Sequence, residues 1–214
     1  NVSSVNEAPV AVTESIRVSE SGTATKTTSG SNNLLSNDTD ADGDAIIAQL
    51  VVSPVNSSSF SLQTSGTFSY THDGSETSTD SFAYRAFDGT DPGNTITVTI
   101  QIDPKNDCPT IANPISDVTV QEDSADSIIS VASVFDDVDR VGGNPDNLSY
   151  SVTHTGAGIA TVTLNTATIT IDYIDDQTGS FVVTVTADDS AGCNTVNDIF
   201  SVTVNPQNDP PVTM

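Results

Sequence analysis

Residues 95–109 read TITVTIQIDPKNDCP, and the texture changes abruptly after Ile102. Up to that point isoleucine and valine alternate with threonine and glutamine, the period of two that marks a strand with one buried face. The seven residues that follow, DPKNDCP, carry two prolines and read as a short, semi-rigid linker. The same pair of textures returns as FSVTVNPQNDPP at 200–211, and NEAP at 6–9 fills the matching slot near the start. An asparagine–acid pair therefore recurs at 6, 106 and 208, about one hundred residues apart. That spacing suits seven strands folded as a two-sheet sandwich.

The rest of the chain agrees. ATVTLNTATITI (160–171) and SFVVTVTA (180–187) alternate in the same way, and no window shows a helical stripe. The expected fold is all-β, with two tandem seven-stranded β-sandwiches at 6–105 and 106–206 and linker stubs at 1–5 and 207–214. Phe68, Tyr70, Phe82, Tyr84, Phe87, Tyr150 and Phe181 fall within the strand patterns and are expected in the cores.

Charge narrows the partners. The chain has 29 acidic and 5 basic side chains, a net charge of −24, and all but five of the acids are aspartate. Aspartate is a poor helix former and a short carboxylate suited to loops and hard cations. No basic patch exists to meet phosphate, which excludes nucleic acid and anionic membranes as partners. No apolar stretch approaches the roughly 20 residues that span a bilayer. Acid-rich, aromatic-poor composition also suits disorder. The alternating apolar runs argue instead for a fold whose self-repulsion is offset by counter-ions. The chain opens at Asn1 without a signal peptide and reads as an excerpt, so missing targeting signals carry no information.

Taken in order, NEAPVAV, LLSNDTDADGDAIIAQLVV, GTFSYTHDG, TDSFAYRAFDG and ITVTIQIDPKND resemble the bacterial cadherin-like repeat of large surface proteins. The second half resembles the related dystroglycan-type cadherin-like domain, through PISDVTVQEDS, VFDDVDR, LSYSV, GSFVVTVTADDSAG and FSVTVNPQND. The resemblance implies Greek-key sandwiches, cadherin- or Ig-like, joined through calcium-rich interfaces. It carries the calcium ligands over to Glu20, to Asp103 with Asn106 and Asp107, to Asp137 with Asp139, and to Asp188. Glu76 or Asp80 is a further candidate. The linker departs from the D-x-N-D-N pattern, with Lys105 at its centre, and the D-R-E signature of vertebrate cadherins is missing.

Calcium suits these clusters because it takes about six to eight oxygen ligands, carboxylates and amides among them. The same logic gives two half-sites. Asp38, Asp40, Asp42 and Asp88, with Asn6 and Glu7, form one at the start of the first sandwich. Glu122, Asp123, Asp175, Asn208 and Asp209 form the other at the end of the second. Two rival readings of NDTDADGD (37–44) stay open. One is a plain solvated acidic loop. The other is an EF-hand, whose twelfth position is Gln49 here instead of glutamate.

Cys108 opens the second sandwich and Cys193 lies in its last turn, at the same end, so a disulfide is expected, with two free thiols as the alternative. Such a bond is worth on the order of 4–5 kcal/mol in the chain-entropy model and points to an oxidising compartment. His72 and His154 lack partners at zinc-ligand spacing and read as structural. There is no nucleophile elbow, phosphate loop or H-E-x-x-H, so no enzyme is expected. NDT (37–39), NSS (56–58) and NLS (147–149) match the glycosylation sequon.

The expected function is a calcium-binding, calcium-rigidified extracellular segment of a large, bacterial surface adhesin or secreted protein, partnered by neighbouring repeats of its own chain. Calcium converts mutual carboxylate repulsion into a shared shell. The alternative is a calcium-dependent module that binds polysaccharide or another cell-surface protein. It has little aromatic material for sugars, with no tryptophan and four tyrosines.

Overall fold

The computed structural model describes residues 5–140 and 147–208, and the chain divides into two units, Asn1–Lys105 and Asn106–Met214. The described part of unit 1 holds β1 (Ser15–Ser19), β2 (Thr23–Ala24), β3 (Ile47–Val52), β4 (Ser57–Leu62), β5 (Phe68–His72), β6 (Thr79–Phe87) and β7 (Pro92–Asp103). They make two sheets, ordered β1-β7-β6-β3 and β2-β5-β4. β1 runs parallel to β7, with Ser15 opposite Thr99 and Ser19 opposite Asp103. Only β4–β5 and β6–β7 are direct hairpins; every other connection passes from one sheet to the other. That is a Greek-key sandwich.

The alternation in β7 is what packs it. Ile96, Val98, Ile100 and Ile102 are buried, while Thr95, Thr97, Thr99 and Gln101 face outward. Each such apolar side chain contributes about 1.5–3 kcal/mol on burial. Phe68, Tyr70, Phe82 and Tyr84 fill the space between the sheets. The two tyrosines keep their hydroxyls bonded, Tyr70 to the Asn56 carbonyl and Asp80, Tyr84 to the Leu34 carbonyl and Asp38. A short 3-10 turn at Leu34–Asn37, capped by the Asn33 side chain, breaks the β pattern where the sequence shows no helical stripe.

Unit 2 holds β8 (Thr110–Ile111), β9 (Val118–Gln121), β10 (Ser127–Ser130), β11 (Phe135–Asp136), β12 (Ser149–His154), β13 (Ala160–Asn165), β14 (Thr168–Tyr173), β15 (Gly179–Asp188) and β16 (Val196–Asn205). Its main sheets, β9-β16-β15-β12 and β10-β14-β13, reproduce the strand order of unit 1, again with a parallel pair, β9 on β16. β8 and β11 add a small ladder of their own. Phe135 and Phe200 join Phe181 in this core. Phe87 and Tyr150 are only half-buried, at the ends of their strands. The sequence pattern did not single out Phe135 and Phe200, although each sits at a core-facing parity.

Candidate metal centre

Each sandwich has an entry end, where the incoming chain, the acidic segment before β3 in unit 1 or after β11 in unit 2, and the last hairpin turn meet. In unit 2 the β11 strand stops at Asp136, and a 3-10 turn at Val138–Arg140 follows. The turn inverts the usual placement: Val138 is exposed, while Asp137 and Asp139 are 2% and 0% exposed. Asp139 donates its N–H to Asp137 Oδ1 (3.2 Å). The incoming chain then docks on this acid pair, with the Asp107 N–H on Asp139 Oδ2 at 2.7 Å.

Asn106 anchors the other side. Its Nδ2 donates to Asp189 Oδ2 at 3.0 Å, to the Asp107 carbonyl at 3.0 Å and to Cys193 Sγ at 3.2 Å. Asp189 also accepts the Ala191 N–H. The Asn106 bond, then that N–H, holds the Asp189 carboxyl below the usual carboxylate range. Cys108 and Cys193 form the expected disulfide beside them. Asp139 Oδ1 and Asn106 Oδ1, in this tight, acid-lined end, are buried and accept no hydrogen bond from the described residues. Leaving such atoms unpaired in a folded protein is costly, most of all for an ionised carboxylate.

The entry end of unit 1 repeats the design one hundred residues earlier. Asn6 Nδ2 donates to Asp88 Oδ2 and Asp91 Oδ2, both at 3.0 Å, and the Glu7 N–H meets Asp42 Oδ2 at 2.7 Å. Asp42 and Asp44 donate their N–H groups to Asp40 Oδ1. Carboxylate oxygens of Asp40, Asp42 and Asp44 lie within 4.8 Å of one another, and Asp40 Oδ2 is buried without a hydrogen-bond partner among the described residues. Asp88, bonded first by Asn6 and then by the Asp91 and Thr90 N–H groups, is also held below the ordinary range. Gly93 has a packing reason of its own, since a Cβ there would run into the Pro9 carbonyl as the incoming chain passes over β7.

Asp38 stands apart from this cluster. Its Oδ1 accepts the Val12 N–H and its Oδ2 the Tyr84 hydroxyl, which ties the incoming chain to the core. Burial, outweighing those bonds, pushes its carboxyl up.

At the opposite, exit ends the two units again match. Glu20 in unit 1 is 6% exposed; its N–H meets the Asp103 carbonyl, and its Oε2 accepts the Lys105 N–H at 3.2 Å. Glu122 in unit 2 is 7% exposed and does the same with the Asn205 carbonyl and the Gln207 N–H, the latter at 2.6 Å. Each glutamate is followed by a residue of positive φ, Ser21 or Asp123, which turns the chain so that the acid points inward.

Other candidates have other partners. The Asp103 carboxylate pairs with Arg17 (2.8 Å) on the outer face of the β1–β7 pair. Asp80 accepts the Val55, Asn56 and Ser81 N–H groups and reads as a loop clasp. Asp123 accepts the Asp176 N–H, and Asp175 and Asn208 are exposed. Asp209 lies outside the described residues.

The resemblance points to Asp188, but Asp189 is the residue that reaches Asn106; Asp188 accepts the Ser190 N–H. Strand parity carried the signal. Phe181, Val183, Val185 and Ala187 face the core, and the same parity continued past the strand arrives at Asp189. In unit 1 the inward series Phe82, Tyr84, Ala86 arrives in the same way at Asp88. Asp44, beside Asp40 and Asp42, and Asp91, bonded by Asn6, join the unit 1 end without being among the expected ligands.

Residues 6–104 match the family described as Bacterial cadherin-like domain. The first unit is a bacterial cadherin-like domain. Residues 109–205 match the family described as Putative Ig domain, which makes the tandem a cadherin-like domain followed by an Ig-like one. Neither matched family is an enzyme family. Among curated protein sequences, none matches the chain.

Solved tandem cadherin structures are similar in fold to the chain. Human protocadherin-24 EC1-2 aligns at 16% identity and a TM-score of 0.62, covering 95% of this chain and 100% of that one. Human mucin-like protocadherin EC1-2 aligns at 15% and 0.60, covering 93% and 98%. Drosophila N-cadherin EC1-4 aligns at 14% and 0.57, covering 95% of this chain and 50% of that one. Among the described residues, no helix is long and apolar enough to cross a membrane.

Proposed function

We propose that this chain is a calcium-binding, calcium-stiffened segment of an extracellular, adhesion-type surface protein. The tandem of cadherin-like and Ig-like domains supports the adhesion-type setting. The observation that carries the calcium reading is two buried oxygens, Asp139 Oδ1 and Asn106 Oδ1, that have no hydrogen-bond partner among the described residues. Both are hard donors of the kind calcium takes from carboxylates and amides.

The donor set fits the ion. Asp137, Asp139, Asp189 and the Asn106 amide would hold calcium at the entry end of unit 2. Asp40, Asp42 and Asp88 would do so in unit 1, with Glu20 and Glu122 as the acids at the exit ends. Zinc is disfavoured because the two cysteines are bonded to each other, leaving no thiolate. A bound divalent ion supplies the positive charge that lets these carboxylates sit close together. The chain's own contribution is to pre-aim oxygens: backbone N–H groups of Glu7 and Asp107 hold one oxygen of Asp42 and of Asp139. In unit 2 that leaves the other Asp139 oxygen for the ion.

Ions that capture Asn106 and Asp107 shorten the free linker, and stiffness follows from that. Small-angle scattering in calcium and in chelator tests the stiffening; a longer, narrower particle in calcium is expected, and identical profiles contradict it. Calorimetric titration with calcium chloride tests the binding itself.

A further inference from the structure

The two entry ends differ in one anchor. Asn6 distributes its two N–H donors over two carboxylates, Asp88 and Asp91, across a tight β6–β7 turn. Asn106 has one carboxylate, Asp189, and in place of the second it meets the sulfur of Cys193. The turn that carries these groups in unit 2 is longer, running from Asp189 to Thr195 between β15 and β16, where unit 1 needs only Asp88 to Asp91. A longer turn positions its groups less strictly unless something ties it down. Cys108, two residues beyond Asn106, makes that tie to Cys193.

We propose that the Cys108–Cys193 disulfide is a positioning element of the unit 2 calcium site, fixing the Asn106 carboxamide so that Oδ1 is presented to the ion, and that opening it weakens calcium binding there. The proposal rests on the calcium reading above. The amide has two faces, and the disulfide decides which one turns inward. With Nδ2 held by the Cys193 sulfur, Asp189 and the Asp107 carbonyl, Oδ1 is left buried and free of hydrogen bonds among the described residues. Without the bond, the turn and the linker part, and Nδ2 loses its sulfur acceptor. Outer-shell contacts that orient a ligand are worth about 10- to 100-fold in metal affinity. The bond is within reach of reductants, since Cys108 is exposed and Cys193 half-buried. A dithiol reduces it by passing two electrons and two protons to the sulfurs, leaving two thiols and a cyclic disulfide of the reagent.

The test uses the whole chain and follows backbone amide signals of Asp107 and Asp139 in unit 2, with Glu7 and Asp42 in unit 1 as the internal reference, during calcium titration. Reduction, or the C108S/C193S pair, is expected to weaken the unit 2 response about tenfold or more and to leave unit 1 unchanged. Asn106→Ala with the disulfide intact is expected to show the same loss, and reduction of that variant no further loss, because the bond acts through Asn106. An unchanged unit 2 response after reduction overturns the proposal, as does an equal further loss in Asn106→Ala. Absence of any calcium response in the oxidised protein at either end overturns the calcium reading instead.

Discussion

The entry ends of the two units share a wiring plan and differ in how deeply it is buried. In both, an asparagine side chain grips the last hairpin turn, and the next residue's N–H grips the second acid of a D-x-D pair. In unit 2 those acids are almost fully enclosed, whereas in unit 1 Asp40 is half-buried and Asp42 and Asp44 are exposed. Burial changes what a carboxylate does. An exposed acid is served by water with or without an ion, while an enclosed one leaves its free oxygen with no alternative. Unit 2 should therefore depend on calcium more than unit 1.

The largest expected effect is on metal removal. Calcium at about one hundred times its dissociation constant stabilises its host by about 2.7 kcal/mol, so chelator should lower the unit 2 transition by about 10 °C or more. Unit 1 should shift less. Differential scanning calorimetry with and without chelator compares the two transitions; equal shifts would break the distinction.

Next comes a change of sign. Asp139→Asn keeps an acceptor for the Asp107 N–H but removes a buried charge. It should destabilise unit 2 in calcium, and in chelator stabilise it by about 1–3 kcal/mol by removing an uncompensated carboxylate. Asp42→Asn, at the exposed counterpart, should show little change in chelator. Denaturant unfolding in both buffers gives the signs.

At the exit ends the units are alike, and equal effects are expected. Glu20→Ala and Glu122→Ala each remove the acceptor of one linker N–H, and in chelator each should cost about 1 kcal/mol. Unequal losses would mean that the matched geometry hides different roles.

The smallest effects concern acid. The Asp88 and Asp189 carboxyls are lowered by their asparagine partners, so each adds stability at pH values above its ordinary 3.8. That contribution is lost as the pH falls through the lowered value. Carboxyl carbon shifts followed from pH 6 to 2 should place both midpoints below the ordinary one, and Asn6→Ala or Asn106→Ala should return the partner toward it.

Much of this was legible in the sequence because strands write their burial into every second residue. The β7 run and the cores followed directly from that period, and the repeated asparagine–acid pairs marked the entry ends. Two features were not legible for physical reasons. Asp103 pairs with Arg17 across a parallel ladder, a partner 86 residues away that local pattern cannot reveal. Asp38 looks like its neighbours in NDTDADGD, yet the Tyr84 hydroxyl and the Val12 N–H recruit it to the scaffold. The choice between Asp188 and Asp189, by contrast, is written in the sequence: strand parity carried one residue past the strand end arrives at Asp189.

Calorimetric titration of the oxidised chain with calcium, repeated on Asp139→Asn, addresses the central claim most directly. The account predicts saturable binding in the parent and the loss or marked weakening of one site in the variant. No heat, together with the same melting temperature in calcium and in chelator, would contradict it.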